Sequence, residues 1–153
     1  DEAYICVEGG AYLAGTDEVY IYVKGVNAHG GIPQLGRDAV VAASAIVMNL
    51  QSIVSRRIDS LESMVITVGK IEGGSNYNVV SGEATLNGTV RTFSHEIQAQ
   101  APVLMREVIE NTAKAFGCTA ELKYLKKTGP VIHDDKKMIA LNMQLQNYMG
   151  KKF

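Results

Sequence analysis

Between Val19 and Lys24 apolar and polar residues alternate: Val19, Ile21 and Val23 fall on one side and Tyr20, Tyr22 and Lys24 on the other, the period-2 signature of a strand with unlike faces. A glycine-rich loop, residues 25–36, separates this strand from a stretch of helical period. From Asp38 to about Ser55, Val40, Ala43, Val47, Leu50 and Val54 recur at three- and four-residue spacing, with Asp38 in the first turn near the positive end of the helix dipole. A second stripe, Val41, Ala45 and Met48, lies beside the first. It implies either a second contact, such as another subunit, or a helix buried on more than one side. Two strands follow, 63–71 and 78–93, joined across Glu72-Gly-Gly-Ser-Asn-Tyr77, whose glycines allow a tight reversal, so they read as antiparallel neighbours. In the second of them Ala84, Leu86, Gly88 and Val90 share one face, and Thr85, Asn87, Thr89 and Arg91 the other.

A second helix is expected from about Ser94 to Phe116, with Ser94 as its N-cap, Ile97, Ala101, Leu104, Val108 and Ala115 inward, and Gly117 as its stop. Pro102 lacks a backbone donor, which predicts a separate or kinked first turn and a regular helix starting at the proline. A last strand, 119–125, alternates Ala120, Leu122 and Tyr124 with Glu121 and Lys123. Beyond Lys127 the chain passes through Thr128-Gly-Pro-Val-Ile-His-Asp-Asp135 into another amphipathic helix, 136–149. The order strand, helix, strand, strand, helix, strand predicts an α+β fold, a ferredoxin-like two-layer sandwich (β-α-β-β-α-β) with a four-stranded antiparallel sheet and two helices on one face.

The 153 residues are 46% hydrophobic and 20% charged, the composition of one soluble globular domain. A formal net charge of -1 without a basic cluster argues against nucleic acid as a partner. The apolar stretch 39–50 is interrupted by Ser44 and Asn49 and is too short to span a bilayer, so no membrane role is expected. The acidic start lacks the positive region of a signal peptide. Cys6 and Cys118 match no zinc or redox spacing and read as small buried hydrophobes of a reducing compartment, the cytoplasm. The chain begins without methionine and stops at Gly150-Lys-Lys-Phe153 after what reads as an unfinished helix, which suggests an excised piece of something longer.

Three glycine-rich segments each present one polar side chain suited to anions: His29, Asn78 and Arg91. Together they could hold a carboxylate and polarise a carbonyl. Each also has a plain alternative: a loop histidine, a turn-forming asparagine and a solvent-facing arginine. His29, His95 and His133 lie on different elements, with no paired carboxylate or cysteine at ligand spacing, so no metal site is expected in this chain.

The run Gly25-x-x-Ala-His-Gly-Gly-x-Pro-x-x-Gly-x-Asp-Ala39, then Leu61-Glu-Ser, then Gly69-x-Ile-x-Gly-Gly-x-x-x-Asn-Val-Val80, then Leu86-x-Gly-Thr-Val-Arg-Thr-Phe93 resembles the inserted lid, or dimerisation, domain of metal-dependent amidohydrolases within the zinc carboxypeptidase family. These include aminoacylases, hippurate hydrolases and indole-acetyl-amino-acid hydrolases. The resemblance spans roughly Ala11 to Leu125. It implies a connection from a catalytic domain over 1–16, the lid over 17–127 and a return segment over 128–153. It further implies a parent enzyme that hydrolyses N-acyl amino acids with a divalent metal pair, of zinc or manganese type, held entirely outside this chain; the isolated chain would be non-catalytic and without cofactor. A homodimer through helix 38–55 and an edge strand is expected. By residue, His29 matches the lid histidine that supports the substrate oxyanion in the partner's site. Asn78 matches the asparagine that holds substrate near the metals, and Arg91 the arginine suited to bidentate capture of a substrate carboxylate. Two departures stand out: Ser81 replaces the family's proline after Asn-Val-Ile, and Gly129-Pro130 and His133-Asp134 replace its Pro-Pro and Asn-Asp. A free-standing amino-acid-binding regulatory module of the same fold class is the alternative.

Overall fold

A computed structural model describes residues 9–149; Cys6 lies outside them. Four long strands form one antiparallel sheet: β2 (Gly15–Lys24), β4 (Met64–Gly73), β6 (Glu83–Thr92) and β7 (Thr119–Thr128), in the order β4-β6-β2-β7. Two helices, α1 (Ala39–Arg56) and α2 (His95–Ala115), cover one face, α1 over β4 and β6, and α2 over β7. This is the ferredoxin-like sandwich the order of elements predicts. Its core is a single cluster in which Val19, Ile21 and Val23 of β2 and Ala84, Leu86 and Val90 of β6 meet the helices, as the period-2 pattern requires.

Alpha1 starts on its expected cap: the Asp38 carboxylate accepts the amides of Val40 at 2.9 Å and Val41 at 3.1 Å. Its inward face differs from the sequence expectation. Ala39, Ala42, Ala43, Ile46, Leu50 and Ile53 are buried, whereas Val47 and Val54 are half-buried and Val40 is exposed. Almost every residue from Ala39 to Leu50 is apolar, so periodicity leaves the phase open; the alanines win because they let the helix axis approach the sheet closely. The second stripe stays uncovered, with Val41 48% and Met48 71% exposed, which excludes a helix buried on more than one side. Alpha1 is long and apolar enough to pass as a membrane span, but its buried residues belong to the core of the sandwich.

Alpha2 is capped by Ser94, whose hydroxyl accepts the Ile97 amide, and it runs unbroken through Pro102 rather than restarting there. Once the helix is nucleated on both sides, one missing backbone donor is outweighed by the packing of the face it carries. That face is Ile97, Gln98, Ala101, Met105, Ile109, Thr112 and Ala113; Leu104 and Val108 are only half-buried and Ala115 is exposed. Gly117 ends the helix at φ +69, its amide bonding Lys114 O at 3.0 Å while Cys118 N bonds Ala113 O at 2.9 Å.

The expected single strand 78–93 is broken. Val79–Val80 (β5) pairs with Ala28–His29 (β3) in a separate two-stranded sheet, and β6 begins only at Glu83. Ser81 makes the break. Its hydroxyl donates to Glu83 O at 2.7 Å and accepts the Gly74 amide at 3.1 Å, while Gly82 N bonds Asn27 Oδ1 at 2.6 Å. At the other end of the sheet β1 (Gly10–Leu13) and β8 (Val131–His133) form an antiparallel ribbon, with the Tyr12 and His133 rings stacked at 4.8 Å. Alpha3 (Asp135–Met149) follows, with Ile139, Met143 and Tyr148 exposed.

Candidate functional site

His29 and Asn78 are far apart in sequence but adjacent in space. The pairing of β3 with β5 sets His29 opposite Val79, and the Gly30 amide bonds Asn78 O at 2.7 Å. This closeness needs glycine: a Cβ on Gly30 would stand 2.8 Å from Asn78 O. Both side chains are exposed. The Gly31 amide donates to His29 Nδ1 at 3.0 Å, so the neutral imidazole carries its proton on Nε2, which is left as an outward donor. Asn78 is not in the left-handed turn conformation, since no described non-glycine residue has positive φ.

Arg91 lies elsewhere. It is half-buried on the helix-free face of the sheet, between Thr16 of β2 and Val65 of β4. Its guanidinium donates to Thr89 Oγ1 and to Val90 O, the latter at 3.2 Å, which folds it back along β6. Lys24 pairs with Glu83 where β2 leads into the His29 loop, whereas Gly15 pairs with Thr92 beside Arg91. The eight steps from Glu83 to Arg91 amount to about 26 Å of extended strand. One protomer therefore brings His29 and Asn78 together and holds Arg91 at the opposite end of the sheet.

In the sequence Ser81 stands out only as a departure, and Asn27 and Asp17 have no assigned role. Ser81 replaces a proline of the resembling family, and the structure shows what it does: its hydroxyl ties the Gly73-Gly74 reversal to the start of β6, and its carbonyl accepts the Ala39 amide at 2.8 Å, so the loop carrying Asn78 is fixed against α1. Asp17 is buried on the core side of β2. The signal was available, because counting back by twos from Val19 places residue 17 inward. Burial pushes the Cys118 thiol above its ordinary range, with the Asp38 carboxylate adding to the effect, so it is a core residue rather than a nucleophile. Among the described residues no group of three or more His, Cys, Asp or Glu side chains could hold a metal ion.

The fold and its glycine-ordered loops define a class, a ferredoxin-like two-layer sandwich that presents a loop histidine and asparagine at one end of its sheet. The family of the peptidase dimerisation domain, M20, matches residues 13–116, and the chain belongs to it. It is 36% identical over 149 residues to an N-acetyldiaminopimelate deacetylase of Geobacillus sp. (strain WCH70), a match that covers 97% of this chain and 40% of that protein. It is 38% identical over 130 residues to an N-acetylcysteine deacetylase of Bacillus subtilis (strain 168), covering 85% and 34%. The chain thus spans about two fifths or less of these relatives. Among solved structures, a protein of methicillin-resistant Staphylococcus aureus assigned as an aminohydrolase superposes with a TM-score of 0.87 at 26% identity, covering 92% of this chain and 37% of that one. The Bacillus subtilis YXEP protein, a dinuclear metal-binding peptidase of the M20 family, does so with a TM-score of 0.74 at 26% identity, covering 96% and 35%.

Proposed function

We propose that this chain is the dimerisation and substrate-capping segment of a metal-dependent amidohydrolase that removes an acyl group from N-acyl amino acids or related amides. The relatives named as deacetylases support that chemistry, and they carry the matching segment within chains more than twice its length, which favours this reading over a free-standing regulatory module. We assign the divalent metal pair, with the residues that activate water, to the remainder of the protein, since this chain matches only 40% and 34% of those relatives. Residues 17–127 are the lid, 1–16 the connection into it and 128–153 the return.

One observation carries the proposal: His29 is presented at the end of the sheet farthest from the β1–β8 ribbon through which the chain enters and leaves, with Nε2 as its free donor. A catalytic domain joined at the ribbon lies at the Arg91 end of the sheet, and His29 is presented at the other end. We therefore assign His29 and Asn78 to the site of the partner protomer, where His29 Nε2 donates to the developing oxyanion and Asn78 holds the substrate, while Arg91 faces the site of its own protomer and captures the substrate carboxylate. The dimer forms through α1 and β4. Beta7, the other edge strand, carries Lys123, Lys126 and Lys127, charges that guard an edge against pairing, whereas β4 exposes Ile71 on the side of the sheet that α1 covers, and Val41 and Met48 of α1 are themselves uncovered.

The test is His29→Ala in the full-length protein. Turnover of an N-acyl amino acid should fall roughly 10²–10³-fold, as on loss of an oxyanion donor, with the denaturant midpoint unchanged because the ring is exposed. Full activity in the variant would remove His29 from the mechanism.

A further inference from the structure

The inward face of β2 carries one acid, Asp17, which is 1% exposed and has no part in the proposed function. Its Oδ1 accepts Gln98 Nε2 at 3.0 Å and the Lys127 amide at 3.1 Å; its Oδ2 accepts the Tyr124 hydroxyl at 2.8 Å and Gln98 Nε2 at 3.2 Å. All three donor groups are neutral. They come from α2 and β7, and their place in the chain is specific. Beta2 and β7 pair without interruption from Lys24 and Thr119 to Asp17 and Lys126, and the next pair is Thr16 with Thr128, so Lys127 is an extra residue on β7. The extra residue of a bulge loses its ladder partner. Here the Lys127 amide bonds the Asp17 carboxylate instead, and Thr128 O accepts Gln98 Nε2 at 3.1 Å. Immediately beyond, buried Pro130 packs against Gly15 and the two strands continue as the β1–β8 ribbon that leads to α3.

Core packing alone does not call for an acid at this position, since an apolar residue would extend the row Val19, Ile21, Val23, and a buried carboxyl is costly unless hydrogen-bonded. Without it, however, the bulged amide and the Gln98 side chain would lose their shared acceptor at the point where the chain crosses from sheet to ribbon. We propose that Asp17 is a positioning residue: with Gln98 and Tyr124 it clamps the bulge at Lys127 and so fixes the orientation of the β1–β8 ribbon, and of the chain beyond it, against the sheet. This clamp does not depend on the amidohydrolase reading.

Amide hydrogen exchange on the full-length protein, resolved by peptide, tests it with Asp17→Asn and Tyr124→Phe. Asparagine keeps the shape but turns one acceptor oxygen into a donor, and should speed exchange over residues 10–16 and 126–133 by about tenfold or more, leaving α1 and the centre of β6 unchanged. Tyr124→Phe removes a single donor and should give the same pattern at smaller amplitude. Uniform acceleration across α1, β6 and the ribbon would overturn the clamp in favour of an ordinary core residue, and so would an unchanged ribbon in both variants. Should Asp17→Asn fail to fold, the distribution of exchange in Tyr124→Phe decides between the same outcomes.

Discussion

Single side chains here are governed by what their backbone neighbours leave over. His29 offers a donor at Nε2 because the Gly31 amide occupies Nδ1, and Arg91 is held along β6 because Thr89 and Val90 supply acceptors two and one residues away. Tyr124 shows the same dependence. Burial, and then its hydrogen bond to Asp17, raises its pKa well above that of an ordinary phenol, so the folded protein keeps the hydroxyl protonated. A raised pKa contributes stability that is complete below the unfolded value of about 10 and is lost as pH rises above it. Alkaline denaturation followed by circular dichroism should therefore show a stability decline above about pH 10 that is diminished in Tyr124→Phe; an identical decline in both proteins would remove Tyr124 as its source. His29, Asn78 and Arg91 were singled out in the sequence as candidates because ordered glycine motifs surround them. Asp17 and Ser81 were not, because an acid at the start of a strand and a serine after a turn have the composition of surface, and only the register of β2 and the three-dimensional reversal at Gly74 reveal their partners.

Elements were legible where one period dominates and blurred where two fit. The alternation of β2 and β6 gave the correct buried face, whereas the nearly continuous apolar run 39–50 allowed several helical phases, and bulky valines drew the reading away from the alanines that touch the sheet. The β3–β5 pairing could not be read locally, since each strand has two residues and the partners lie about fifty residues apart. Pro102 misled in the other direction, as a strong local signal overridden by a long helix packed along its length. The cost of that proline should still be present. Pro102→Ala restores the backbone donor and is expected to stabilise the domain by about 1–2 kcal/mol, somewhat less than the full interior penalty of about 3 kcal/mol, seen as a higher denaturant midpoint at unchanged slope. A lower midpoint would mean that α2 needs the proline's packing more than the missing hydrogen bond.

At the scale of the molecule, the length of the paired strands β2 and β6 separates the two ends of the domain, with the His29 loop at one and the ribbon and Arg91 at the other. The order of elements predicts a four-stranded antiparallel sheet with two helices on one face, but the strand order and the uncovered surface of α1 become visible only in three dimensions. If that surface joins two protomers, Met48→Glu combined with Val41→Glu places unpaired charge in an apolar interface and should weaken self-association by about 10²-fold or more, read as a shift from dimer to monomer in light scattering across a dilution series. A dimer of unchanged affinity would move the interface to another face.

The separation of His29 from Arg91 also makes the central claim directly measurable. Full-length His29→Ala and Arg91→Ala variants, each nearly inactive, are mixed under conditions in which differently tagged subunits are shown to exchange. If each site takes His29 from one protomer and Arg91 from the other, a mixed dimer contains one site lacking both and one site intact. Random mixing then restores about a quarter of the wild-type rate, because half the dimers are mixed and half of their sites are whole. If heterodimers form and activity stays at the level of the separate variants, His29 and Arg91 do not meet across the dimer and the assignment of His29 to the partner's site is wrong.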